Sequence, residues 1–316
     1  MISICLTAEN KAVLRAVSLL QTKLQMSLDP RGIPLTAFPA QQPSVSFDGK
    51  EGRIGFVSTV SFARMLTQFV KQVSKGKPFY LEETVIFDEV GISLDLSRGG
   101  VMKPEAVMEY MEYMAMMGLD YVLLYIEDIY TIPGLPYFGY MRGRYTEDEL
   151  KRIDAHGAAL GIEVIPMIQT ASHLEHYLKW GENWKCRCSE RTLLVGSEDT
   201  YTLIDQMLST ISRCFTSRRI HLGMDEAFDL NLAGYMDKNG LRDMSQVFAE
   251  HLTRVLEILA KYDRVPMVWQ VAKPSKVSDP AALMNTPGAD ELITFVGAYS
   301  YFTEEVFLKR REPFLE

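Results

Sequence analysis

From about residue 89 the chain settles into a beat of short apolar runs separated by amphipathic helical stretches. That rhythm restricts the fold more than any other feature. A strand followed by a helix returns to a parallel neighbour, and a parallel sheet must be covered on both faces. Residues 91–96, 121–126, 163–168, 220–223, 265–269 and 292–296 read as six strands. The intervening helices carry their own punctuation. Thr146-Glu147-Asp148-Glu149 has the form of a capping box ahead of Leu150, Ile153 and Leu160, and Gly161 supplies the stop. Val107, Met111, Met114 and Met117 form a stripe ending at Gly118, read as core because thioether side chains fill irregular gaps. Six such units point to an α/β fold of the (β/α)8 TIM-barrel type, although rhythm alone also admits a doubly wound sheet. No G-x-G-x-x-G or P-loop follows the first strand, which argues against a nucleotide-binding variant. About 20 residues follow the sixth strand, too few for two further units, so the barrel is expected to be incomplete.

Residues 1–88 read differently. Val13, Leu14, Val17 and Leu20 recur at helical spacing, as do Phe62, Met65, Leu66 and Phe69, while 44–48, 53–58 and 79–87 read as strands. The expected organisation is a small N-terminal α+β domain over 1–88 that acts as a scaffold, then a catalytic barrel domain over 89–316.

Charge narrows the partner. The net charge is −8, and no run of Lys or Arg offsets it, so a phosphate-rich nucleic acid is disfavoured and a small neutral ligand is expected. The start, Met1-Ile2-Ser3-Ile4-Cys5-Leu6-Thr7, lacks a basic leader region and soon turns polar, no apolar run is long enough for a membrane span, and four cysteines are too few for a disulfide framework. A cytoplasmic location is the expectation.

In a barrel the residues just past each strand face a common bowl, where chemistry gathers. Those positions hold Asp95 and Arg98; Glu127 and Asp128; Gln169, Thr170 and His173; Asp225 and Glu226; Trp269 and Gln270; and Tyr299 and Tyr301. Acids, one arginine, one histidine and aromatics on one rim suit a carbohydrate. Any single rim carboxylate is usually a solvated loop residue. Five together are harder to dismiss.

The segment His221-Leu222-Gly223-Met224-Asp225-Glu226 is the sharpest signal. Neighbouring strand residues face opposite sides, so adjacent acids converge on one ligand only where the strand breaks. A conventional pair of glycosidase carboxylates stands roughly 5–10 Å apart across the scissile centre, which a tandem Asp-Glu fits poorly. The tandem suits a substrate that brings its own nucleophile.

These residues resemble the H-x-G-x-D-E signature of family 20 glycoside hydrolases, the β-N-acetylhexosaminidases. Asp95-Leu96-Ser97-Arg98 is similar to that family's D-x-S-R. Tyr125-Ile126-Glu127-Asp128, Pro136 to Gly143, Ile168 to His173 and Lys179-Trp180-Gly181 resemble a bacterial intracellular branch acting on β-linked N-acetylglucosamine. The resemblance covers about residues 1–270 and implies substrate-assisted, retaining removal of terminal β-linked N-acetylhexosamine. It implies that Glu226 is the acid and base and that Asp225 holds the acetamido N–H. Arg98 would grip the terminal sugar, and His173 would tune the acid through a relay with a carboxylate such as Asp128. Glu127 and Asp128 would contact substrate, Trp269 would wall the acetamido pocket, and Tyr299 would reach the acetamido oxygen. No metal or organic cofactor is implied. After Trp269 this chain departs from the family pattern: Gln270-Val271-Ala272-Lys273 follows, and Gly297-Ala298-Tyr299-Ser300-Tyr301 replaces an aromatic W-D-Y-Y-like run.

Two other classes stay open on sequence. A non-catalytic glycan-binding remnant would keep affinity and lose turnover, and a metal-dependent barrel enzyme would use Glu127, Asp128, Asp225 and Glu226 as oxygen ligands. His173, His176 and Cys186-x-Cys188 invite a zinc reading, but their spacing is weak. His221 is expected inside its strand, supporting the site from beneath.

Overall fold

The computed structural model describes residues 1–271 and 293–297. One sheet comprises β1 (Ile2–Thr7), β2 (Met26–Leu28), β3 (Ile33–Pro39), β4 (Ser44–Phe47), β5 (Gly52–Phe56) and β6 (Phe79–Glu82), ordered β2-β1-β3-β5-β4-β6. β1 runs parallel to β2 and β3, β3 runs parallel to β5, and β4 is antiparallel to β5 and β6. Helices α1 (Lys11–Leu20) and α2 (Thr59–Val73) accompany this sheet. The stripe Phe62, Met65, Leu66 and Phe69 is buried, and α2 starts at a capping box formed by Ser58 and Ser61. Edge-on ring contacts of Phe47 with Phe69 and of Phe56 with Phe62 mark the core.

Three expectations need correction here. Leu14 is exposed, because a step of one residue from Val13 rotates the helix about 100° away from the core. The strand expected over 79–87 stops at Glu82, and Val85, Ile86 and Phe87 are exposed. The strands expected for residues 1–88 lack β1, β2 and β3.

The second sheet comprises β7 (Gly91–Asp95), β8 (Tyr121–Tyr125), β9 (Glu163–Met167), β10 (Arg219–His221), β11 (Val265–Val271) and β12 (Ile293–Gly297), in the order β12-β11-β10-β9-β8-β7. Pairing is parallel for β7 with β8, β9 with β10, β10 with β11 and β11 with β12. All six expected strands are present, and their ends shift by one or two residues. The sequential order selects the barrel-type winding over a doubly wound sheet, whose strand order reverses at a switch point.

Helices α3 (Pro104–Met117), α4 (Glu147–Leu160), α5 (Glu175–Leu178), α6 (Glu198–Cys214), α7 (Ala233–Asn239) and α8 (Met244–Leu259) lie between these strands. α4 begins at the Thr146–Glu149 capping box and ends at a left-handed Gly161. α3 buries Val107, Met111 and Met114 but exposes Met117. Ten residues from Val107 amount to about 1000° of helix rotation, which leaves Met117 about 80° off the stripe. No described helix is long and apolar enough to cross a membrane.

Contacts gather the chain into two compact units. The first holds Met1–Tyr125, Tyr145–Ile165 and Arg213–Ser217; the second holds Ile126–Arg144, Pro166–Ser212 and the described residues from Arg218 onward. Within the second unit, His251 of α8 is fully buried. Its Nε2–H donates to the Thr170 carbonyl at 2.7 Å, and its Nδ1 lies 3.4 Å from the Tyr201 hydroxyl. Burial pushes His251 down to about 4 and His221 down to about 3. An unfolded histidine titrates near 6.5, so below that pH the unfolded chain takes up protons that the folded chain refuses. Their contribution is complete above pH 6.5 and lost as pH falls toward 4. The unfolding free energy should therefore drop by up to about 1.4 kcal/mol per pH unit per histidine over that window. Urea unfolding at pH 7 and pH 5 checks this, with His251→Gln showing the shallower slope. Equal slopes would contradict it.

Candidate active site

The candidate site residues of the second unit sit where strands break into loops. Glu127, His173, Met224 and Glu226 all adopt left-handed backbone, with φ of 30°, 58°, 72° and 51°. Each such non-glycine residue costs about 1–3 kcal/mol, and strain gathered at strand ends in this way commonly accompanies function. After β10, left-handed Gly223, Met224 and Glu226 abolish the two-residue alternation of a strand. This is how adjacent acids come to share a histidine.

Gly223 is required twice. Its φ is +71°, and a Cβ there would collide with the Gln169 side chain and come within 2.8 Å of the Ile168 carbonyl oxygen. Gly223→Ala is expected to lower stability by about 1–3 kcal/mol and to displace Gln169. Thermal unfolding together with turnover checks this, and wild-type behaviour in both would contradict it.

Asp225 is clamped. Its Oδ1 accepts from Gln169 Nε2 at 2.8 Å, and its Oδ2 lies 3.2 Å from His173 Nε2. Burial acts to raise the Asp225 carboxyl, but hydrogen bonds from His173 and Gln169 outweigh it, so the group lies below its ordinary value. Asp225 is therefore an anion at neutral pH. Its side chain is 13% exposed against 38% for Glu226, so Glu226 is the acid open to an arriving ligand. Glu226 Oε2 lies 3.6 Å from His173 Nε2 and 3.5 Å from Arg191.

Other site candidates divide into groups. Glu127 and Asp128 are buried, and Arg142 reaches them at 3.2 Å and 3.6 Å. Burial pushes the Asp128 carboxyl up, against the pull of Arg142 and of the backbone N–H groups of Asp128 and Gly139. The carboxylates that meet His173 are Asp225 and Glu226. His221 is buried; its Nδ1 accepts from the Gly223 N–H at 3.1 Å, and its ring lies 5.0 Å from that of Trp269. Thr170 faces inward and donates to the Leu222 carbonyl, as part of the scaffold. Arg98 lies in the first unit, paired with Asp95 at 3.0 Å and set over the Tyr125 ring at 4.6 Å. Tyr299, Tyr301 and the side chain of Gln270 lie outside the described residues.

Cys186 and Cys188 are buried thiols that donate to the Asn183 and Leu232 carbonyls. Burial raises both, Cys186 to about 11. Among the described residues no group of three or more His, Cys, Asp or Glu side chains is placed to hold a metal.

Sequence reading missed Arg191. It sits in an irregular excursion after β9, inside Ser189-Glu190-Arg191-Thr192, a stretch with no periodic or motif signal. Only tertiary hydrogen bonds return it to His173, at 2.9 Å from Nδ1.

A sequentially wound parallel sheet with an anionic carboxylate, a second acid and a histidine converging past β9 and β10 defines an α/β barrel with an acid-rich site. Residues 90–286 match the pattern of the glycosyl hydrolase family 20 catalytic domain, and the chain belongs to that family. The mouse beta-hexosaminidase subunit beta is 27% identical over 148 residues, 42% of this chain and 28% of that protein. The mouse subunit alpha is 24% identical over 243 residues, 67% of this chain and 45% of that protein. The chain thus spans less than half the length of these relatives. Among solved structures, a family 20 exo-β-N-acetylglucosaminidase from Vibrio harveyi in complex with N-acetylglucosamine superposes with a TM-score of 0.72 at 17% identity, over 99% of this chain and 56% of that one. The family 20 β-N-acetylhexosaminidase of Streptomyces coelicolor gives 0.71 at 15% identity, covering 99% and 68%. These likenesses establish the fold as of the TIM-barrel type.

Proposed function

We propose that this chain hydrolyses terminal β-linked N-acetylhexosamine, with N-acetylglucosamine favoured, from small glycans in the cytoplasm, by substrate-assisted retaining catalysis. The observation that carries this reading is the clamped, anionic Asp225 beside the more open Glu226. An anion that only accepts hydrogen bonds, held in place by Gln169 and His173, suits an amide N–H and the positive charge that develops on it. Glu226 protonates the glycosidic oxygen as its bond to C1 breaks. The acetamido carbonyl oxygen attacks C1 and forms a cyclic oxazolinium, whose N–H rests on Asp225. Water then attacks C1 and gives its proton to the Glu226 carboxylate. Two inversions leave the configuration retained.

His173 positions both acids. Arg98, Glu127 and Asp128 are assigned to the hydroxyls of the terminal sugar, Trp269 to the acetamido pocket, and Tyr299 to the acetamido oxygen. Residues 1–88 act as an α+β scaffold to the barrel of 89–316.

The test is release of nitrophenol from 4-nitrophenyl N-acetyl-β-glucosaminide. Turnover that survives a chelator supports the reading. Glycan binding without turnover would support a non-catalytic role instead, and activity lost to a chelator and restored by magnesium or zinc would support a metal-dependent one.

A further inference from the structure

The excursion between β9 and α6 is pinned back onto the site by its backbone. The Leu174 N–H donates to the Arg191 carbonyl, the Leu193 N–H donates to the Ala171 carbonyl, and Arg187 bridges Leu193. The Arg191 side chain is therefore held rather than free to sweep solvent. Its Nε donates to the Ser172 hydroxyl at 3.1 Å, and one terminal nitrogen lies 2.9 Å from His173 Nδ1, 3.4 Å from His173 Nε2 and 3.5 Å from Glu226 Oε2.

We propose that Arg191 is a positioning residue for proton transfer, acting through His173 and beside Glu226; the proposal rests on the glycosidase reading above. The Asp225 carboxylate only accepts, so the His173 nitrogen that faces it at 3.2 Å, Nε2, carries a proton, while the guanidinium, 2.9 Å from Nδ1 with donors only, disfavours a proton there as well. The Nε2 proton thus faces both acids, Asp225 at 3.2 Å and Glu226 at 3.6 Å. One cation thereby favours the arrangement of the ring that serves both acids. It also lies 3.5 Å from the oxygen that becomes negative when Glu226 gives up its proton. Its benefit grows with the degree of proton transfer, so it matters most for leaving groups that cannot depart as free anions.

That dependence gives a readout that loss of packing would not produce. Arg191→Met should lower kcat/KM on the unactivated disaccharide N,N′-diacetylchitobiose by about 10²-fold. On 2,4-dinitrophenyl N-acetyl-β-glucosaminide, whose leaving group needs little protonation, the fall should be under about 5-fold. Arg191→Lys keeps the charge but loses the fork, and should recover the disaccharide rate in part. Equal losses on both substrates, or none, would overturn the proposal.

A second measurement separates this idea from the glycosidase reading. In ¹⁵N spectra, with His173→Gln assigning the resonance, wild-type His173 should show an unprotonated Nδ1, and Arg191→Met should show a proton on Nδ1 in part of the population. A wild-type Nδ1–H would overturn the role of Arg191 whether or not the chain turns over substrate. Wild-type inactivity on both glycosides with the expected tautomer intact would instead overturn the glycosidase reading.

Discussion

Glu226→Gln is expected to cut kcat/KM on unactivated β-N-acetylglucosaminides by about 10²–10⁴-fold, with circular dichroism and thermal midpoint close to wild type. The side chain is 38% exposed, so replacing the carboxyl with an isosteric amide leaves packing and most ground-state contacts in place. What disappears is the proton that the leaving oxygen needs and the base that water needs in the second half of the reaction. Steady-state kinetics on chitobiose would show the loss mainly in kcat. A variant that keeps more than about a tenth of wild-type turnover would remove Glu226 from the acid role.

Asp225→Ala should be nearly as damaging, by about 10²–10³-fold, for a different reason. Asp225 makes no bond to the sugar in this account. It holds the acetamide so that its oxygen faces C1, and it balances charge as the ring closes. Removing it also leaves the donors of Gln169 and His173 without their acceptor. Added azide should not restore the rate, because no covalent enzyme nucleophile has been lost. Recovery with azide and an inverted glycosyl azide as product would assign Asp225 a direct attack on C1.

Much of this was legible in the sequence, and the exceptions have physical causes. The sheet could be read because parallel strands covered on both faces are near-continuous apolar runs, as 121–125 and 163–167 are. The α4 boundaries could be read because Thr146 and Gly161 satisfy helix ends by local chemistry alone. Asp225, Glu226 and His173 stood out because they lie within a few residues past strand ends. Arg191 did not. No local periodicity links it to His173, and its position depends on a hairpin closed by long-range backbone hydrogen bonds. Arg142 was hidden in the same way: the sequence shows a loop arginine, whereas the fold turns it onto Glu127 and Asp128. Met117 and Leu14 misled because an apolar residue at nearly the right spacing still misses a core stripe when rotation accumulates.

The most direct test of the central claim, that the acetamide of the substrate is the nucleophile steadied by Asp225, is calorimetric titration with a thiazoline analogue of the cyclised intermediate. The account expects wild-type protein to bind it at least about 10²-fold more tightly than N-acetylglucosamine, with that preference lost in Asp225→Ala. Binding of the thiazoline no tighter than the free sugar, or a preference untouched by Asp225→Ala, would contradict the account.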